Sequence, residues 1–158
     1  MVFSSLVFIC LFLPLTVGLY YATPGRYRNI TLLAASLVFY SWGAPRFVAV
    51  LILSSLADFV LARQIEQRSA LGDRQRLLAV GVVLNVGVLC IFKYANFAVE
   101  QVAVLWGGNG PPTGWIAIAL PIGISFFTFQ KLSYLIDVYR GTVRSASSFT
   151  AYLLYVSL

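Results

Sequence analysis

Apolar runs long enough to cross or nearly cross a bilayer recur along the whole chain, separated by short polar gaps. The first, Val2–Tyr21, is twenty residues without a charge. A hydrocarbon core about 30 Å thick needs roughly 20 helical residues, so this run predicts a transmembrane helix, kinked at Pro14. It lacks the basic n-region and shorter apolar core of a cleaved signal and reads as retained. Ile30–Ala44 and Phe47–Ala62 follow, fifteen and sixteen residues long. Each alone is short for a span, and fused they are too long. Pro45 disfavours helix at the residue before it. The pair therefore predicts a helical hairpin whose tip, Gly43-Ala44-Pro45-Arg46, lies in or near the interface, with Tyr40 and Trp42 as aromatic anchors. Leu77–Phe92 is a fourth run, closed by Lys93 and Tyr94. Trp115 opens a fifth, which Pro121 kinks or restarts. Phe149–Leu158 is the beginning of a sixth. The expected fold is an all-α polytopic membrane bundle: about five transmembrane or partly re-entrant helices plus the start of a sixth.

The gaps carry the polar residues. Thr23–Arg28 is a turn with two arginines. Arg63–Arg76 is the most polar stretch, read as a solvated loop containing Arg74, with a short surface helix pairing Arg63 and Glu66 as the alternative. Gly107–Gly114 is a loop by composition and lacks the Gly-Lys-Ser/Thr ending of a phosphate loop. With the N-terminus outside, the inside gaps hold Arg26, Arg28, Arg63, Arg68, Arg74, Arg76, Arg140 and Arg144, and the outside gaps only Arg46 and Lys93. Eight against two is a positive-inside bias, so the chain is expected in the inner (cytoplasmic) membrane, multi-pass, N-terminus outside.

Composition agrees. Sixty per cent of residues are apolar, 10% are charged and the mean hydropathy is +0.88, against about 45–50% and 25% in globular chains. The net charge of +6 is dispersed between apolar runs, which argues for the lipid bilayer as partner and against nucleic acid. Cys10 and Cys90 lie inside apolar runs without a CxxC partner and read as small buried hydrophobes rather than disulfide or metal ligands. The chain has no histidine, the commonest general base and metal ligand. No nucleophile–base pair can be assembled, so neither a catalytic residue nor a metal site is expected within it.

The candidate chemistry lies in Leu120–Gly141, where an apolar, aromatic segment admits polar groups. At about 100° per residue, Gln130, Lys131, Ser133, Tyr134, Asp137 and Arg140 share one half of a helix; Phe129, Leu132, Leu135 and Ile136 take the other. Charges inside a membrane helix are expensive and mark function or a specific partner. Lys131 has no acid three or four positions away, so its compensation must come from another helix, a carbonyl, water or a headgroup. It reads either as a structural or snorkelling lysine or as a cation lining a cavity, with Gln130 and Tyr134 as fellow lining candidates. Asp137 and Arg140 are three apart and are expected to pair. Asp58, with Ser54 and Ser55 a turn before it, is expected to bond between helices, and Asn85 to be a bonded core amide. Phe126, Phe127 and Phe129 read as packing. These residues suit an enzyme, a secondary transporter or channel subunit, or a non-catalytic scaffold, and composition does not separate the three.

Pro121–Gly141, together with Phe3-Ser4-Ser5, Phe39-Tyr40-Ser41-Trp42-Gly43 and Phe92-Lys93-Tyr94 in that order, resembles the membrane-bound O-acyltransferase family. The likeness is to the bacterial branch that includes the alginate O-acetyltransferase membrane subunit, and it runs over nearly all 158 residues. It implies an enzyme moving an acyl group, often acetyl, to a hydroxyl of an extracytoplasmic polysaccharide such as alginate. The implied donor is acetyl-CoA or another thioester or carrier-bound acyl group on the cytoplasmic side, and periplasmic or extracellular partner proteins are further implied partners. The catalytic histidine that the family implies has no counterpart here. Residues 1–158 are accordingly expected to be the N-terminal part of a single membrane-embedded acyltransferase domain, inactive alone.

Overall fold

The computed structural model describes residues 8–105 and 123–157, apart from 26 and 44, and all the regular structure among them is helical. A π-helical segment, Phe8–Phe12, leads into α1 (Leu13–Ala22). The kink expected at Pro14 takes this form: Pro14 has no N–H to donate back along the helix, and the chain widens by one π turn before it. Thr23 closes α1 by donating both its amide and its hydroxyl to the Leu19 carbonyl. α2 (Arg28–Gly43) and α3 (Pro45–Gln67) form the expected hairpin, and Pro45 opens α3 where its missing N–H costs nothing. Trp42 stands 71% exposed near the tip, whereas Tyr40 turns inward, its ring 5.5 Å from that of Phe127 and edge-on to it.

Arg63–Arg76 is not a loop. α3 continues to Gln67, and after a three-residue break α4 (Leu71–Leu105) begins. Nor does α4 stop at Lys93: it runs on as one helix of 35 residues, roughly 50 Å long. Residues 71–76 and 93–105 are polar or mixed but contain neither proline nor an unfavourable run, so the helical ladder propagates through them. α5 (Ile124–Arg140) is bounded by Gly123 at φ 80° and Gly141 at φ 75°. Only a residue without Cβ takes these left-handed positions cheaply. The structure of Gly107–Gly114, Trp115 and Pro121 lies outside the described residues. α6 (Phe149–Ser157) packs against α2 and α3.

The core gathers Ala62 and Ile65 of α3, Leu135 and Val138 of α5, and Tyr152 and Val156 of α6. α1 buries no residue, and α4 buries only Gly81 and Asn85. Leu77 and Leu78 of α4 pack against the core, while Leu13 and Leu15 of α1 and Val83 and Ile91 of α4 face outward. Cys10, in the π-helical segment, and Cys90, on α4, are exposed, not buried. Phe126 and Phe129, each 66% exposed, also face out; of the three phenylalanines only Phe127 packs inward. Two helical stretches, Phe47–Gln67 and Leu71–Leu105, are long and apolar enough to cross a membrane.

Three contacts bind the polar ends of these helices. Arg74, expected in solvent, is half-buried. Its Nη2 donates to the carbonyls of Val138 and Tyr139 at the end of α5, and its guanidinium lies 5.4 Å from the Tyr139 ring centre. A cation there offsets the partial negative charge of the helix C-terminus. Glu66 accepts hydrogen bonds from the amide and hydroxyl of Ser145 rather than pairing with Arg63. Arg63 instead lies over the Phe59 ring at 5.3 Å. Asp137 and Arg140 form no ion pair: Arg140 is the last residue of α5 and stands exposed to solvent.

Gly81 sets how closely α4 and α5 approach. A Cβ placed there would lie 2.7 Å from Cδ1 of Leu135, a fully buried side chain that would have to shift to admit it. Gly87 on the same helix has open space. Gly81→Ala should therefore cost about 1–3 kcal/mol through overpacking, while Gly87→Ala should be neutral or mildly stabilising. Thermal unfolding midpoints of the two variants in detergent check this. Equal midpoints would show that the α4–α5 contact is looser than described.

Candidate functional site

α3, α4 and α5 meet around one buried ion pair. Lys131 projects from α5 toward α3, where its Nζ lies 3.4 Å from Asp58 Oδ2 and donates to Ser54 Oγ at 2.7 Å. The Lys131 and Asp58 side chains are 4% and 1% exposed. From α4, Asn85 Nδ2 donates to Asp58 Oδ1 at 2.7 Å and to the Gly81 carbonyl at 3.0 Å. Each helix contributes by simple periodicity: Ser54 and Asp58 are four apart on one face of α3, as are Gly81 and Asn85 on α4. Thr128, one turn before Lys131, is also buried and donates to the Ile124 carbonyl at 2.7 Å.

The geometry divides the work between partners. At 3.4 Å the Lys131–Asp58 contact is coulombic, longer than the 2.7–2.9 Å of a strong charge-assisted hydrogen bond. The close hydrogen bonds are those of Ser54 to the ammonium and Asn85 to the carboxylate. The cluster is electrically neutral as a whole. Ser55 Oγ, Asn85 Oδ1 and Tyr152 Oη, all buried, have no hydrogen-bond partner among the described residues.

A narrow cavity of about 20 Å³ lies beside Lys131, walled by Tyr40, Phe47, Ser54, Phe127 and Thr128 among others. Among the expected lining residues, only Lys131 reaches it. Gln130 donates through Nε2 to the Tyr155 carbonyl of α6 at 2.6 Å. The Tyr134 hydroxyl accepts the Ala146 amide at 2.8 Å, and its ring packs 4.7 Å from that of Tyr152. These side chains stand roughly 60–100° around α5 from Lys131, which is enough to turn them from the cavity to α6. Asp137 and Arg140 lie toward the polar end of α5, six and nine residues beyond Lys131. Ser54, Thr128 and Tyr40 were not singled out as lining residues. The available signal was the short side-chain oxygen four residues before Asp58 on the same face.

The chain is 42% identical over its full length to a probable alginate O-acetylase of Azotobacter vinelandii, matching 32% of that protein. It is also 42% identical over its full length to a probable alginate O-acetylase of Pseudomonas aeruginosa, matching 31% of it. The chain is similar over its full length to proteins named probable alginate O-acetylases. A peptidoglycan O-acetyltransferase of Helicobacter pylori is 29% identical across 89% of the chain, matching 27% of that protein. The chain thus spans about a third of the length of the curated relatives it matches. No family model matches it, and no solved structure matches it significantly. The resemblance carried by Pro121–Gly141 and the shorter motifs therefore extends over the entire chain, including all three helices of the Lys131 cluster.

Removing one partner of a buried ion pair strands the other charge, at about 3–5 kcal/mol. Lys131→Met and Asp58→Asn should each destabilise the protein strongly. The double variant should recover most of the loss, because it leaves no charge in the cluster and keeps an acceptor for Asn85. Thermal unfolding of the three variants in detergent measures the coupling. A double variant no more stable than the worse single one would mean that the pair is not the organising contact.

Proposed function

We propose that this chain works as part of a membrane-bound O-acyltransferase that transfers an acetyl group to hydroxyls of an extracytoplasmic polysaccharide. The observation that carries the reading is the full-length similarity to proteins named alginate O-acetylases, joined by a relative named for peptidoglycan. What those two acceptors share is a sugar hydroxyl. In the reaction, the hydroxyl oxygen attacks the carbonyl of a thioester such as acetyl-CoA. The C–O bond forms, the C–S bond breaks, and the hydroxyl proton ends on the departing sulfur. A base near neutral pKa contributes about 10²–10⁴-fold to such a step. With no histidine in these residues, that base is assigned to the remainder of the working enzyme. This chain supplies bundle wall and the Lys131 cavity, as part of a single membrane-embedded domain. A transporter reading needs mobile intramembrane charges. Asp58 and Lys131 are instead held against each other and by Asn85 and Ser54.

The proposed topology places α1, the α2–α3 hairpin, α4 and α5 in the inner membrane as spans or partly re-entrant helices, with α6 as the start of a further one. The N-terminus is outside. Supporting this, Arg74 contacts the end of α5 and Glu66 contacts Ser145, so the polar stretch 63–76 and the basic gap after α5 lie at the same end of the bundle. The part of α4 beyond Lys93 then extends past the outer interface, since about 20 residues suffice for a span.

Two measurements check these proposals. The full-length protein in membranes should transfer labelled acetyl groups to polysaccharide, and residues 1–158 alone should transfer none. Turnover by the isolated segment would remove the argument that the base lies elsewhere. In a background free of Cys10 and Cys90, Gln101→Cys should react with an impermeant thiol reagent on intact cells and Ser69→Cys should not. The opposite pattern would invert the topology.

A further inference from the structure

We propose that the arginine-rich end of the bundle is a docking surface for the phosphate headgroups of anionic phospholipids. The stretches 63–76 and 140–145 are far apart in the chain, and two contacts bring them together. Arg74 donates to the carbonyls of Val138 and Tyr139, and Glu66 accepts the amide of Ser145. Arg63 and Arg144, one from each stretch, both lie close enough to the Glu66 carboxylate to act on its charge. Six arginines gather at this end, Arg63, Arg68, Arg74, Arg76, Arg140 and Arg144, against three acids, Glu66, Asp73 and Asp137. Glu66 is engaged by Ser145, and Asp73 reaches only Arg76, at 4.0 Å. Arg63, Arg68, Arg140 and Arg144 stand exposed and form no ion pair among the described residues.

The surface is not purely basic. Leu71, 67% exposed, stands in sequence between Arg68 and Arg74, and Val143, 48% exposed, between Arg140 and Arg144. Arg63 lays its guanidinium over the Phe59 ring. Exposed apolar side chains beside cations suit the boundary between headgroups and acyl chains. There the arginine stems lie along apolar surface, and the planar guanidinium donates to phosphate oxygens in pairs. A soluble phosphate ligand offers nothing for Leu71 and Val143 to contact, so the mixture favours a lipid. In the proposed topology this end faces the cytoplasmic leaflet, whose anionic lipids attract basic segments next to a membrane helix. Such binding is separate from acyl transfer and needs neither a donor nor a polysaccharide.

The test titrates the full-length protein, in a neutral detergent, with fluorescent phosphatidylglycerol and with phosphatidylcholine carrying the same chains. One basic residue at an anionic surface adds about fivefold in affinity. The wild type should therefore bind phosphatidylglycerol at least about 10-fold more tightly than phosphatidylcholine. Arg68→Gln, Arg140→Gln and Arg144→Gln combined should remove most of that preference and leave phosphatidylcholine binding as in the wild type. Lys93→Gln, which removes an exposed cation far along α4 from this end, should leave the preference unchanged. Soluble glycerol phosphate and coenzyme A should not displace the bound lipid. A wild type without the preference would overturn the proposal, and that comparison needs no variant. So would a triple variant that keeps the preference, a Lys93→Gln variant that loses it, or displacement of the lipid by either soluble anion. None of these results bears on whether the protein transfers acyl groups.

Discussion

A lysine and an aspartate buried together in an apolar helix bundle are the constraint on which the rest of the arrangement depends. Neither charge is tolerable alone in such surroundings. Lys131 therefore ties α5 to α3, and Asn85 ties α4 to the same carboxylate. An oily interface between membrane helices has little directional preference, because lipid tails are as apolar as leucine. The polar cluster adds the direction. It fixes which faces of three helices meet and their rotation, and Gly81 sets how near α4 and α5 come.

The polar end of the bundle is held by different means. Arg74 caps the carboxyl end of α5, Glu66 receives the turn after it, and Gly141 reverses the chain between them. These contacts join the α3–α4 break to the α5–α6 connection. They leave α5 anchored at its polar end and gripped in its middle by Lys131, while its first turn borders the cavity. A helix held in this way presents Phe127, Thr128 and Lys131 at defined positions, which a binding wall requires.

The same neutrality that makes the ion pair stable shapes what the cavity can bind. An unpaired lysine would draw anions and water. A lysine balanced by aspartate is a polar donor in a largely apolar wall.

Much of this protein was legible in the residue order. The apolar runs, the hairpin turn at Pro45 and the eight-to-two basic distribution follow from length, proline placement and the cost of moving charge through lipid. So does the family likeness. Lys131 was visible as a charge requiring a partner, but not which partner. Asp58 lies 73 positions earlier, and periodicity describes only the face of a single helix, never the face opposite it. For the same reason Gln130 and Tyr134 were grouped with Lys131: they share its half of α5, and only the position of α6 turned them elsewhere. Arg74 looked like any solvated arginine until the end of α5 was found beside it, and Asp137 and Arg140 had the spacing of a pair without forming one. The sequence by itself determined that the chain is a bundle of apolar helices and which groups are too polar to be left alone in them, but not how far α3 and α4 extend through the polar gaps. The tertiary structure decided which of those groups meet, because meeting depends on the packing of helices far apart in the chain.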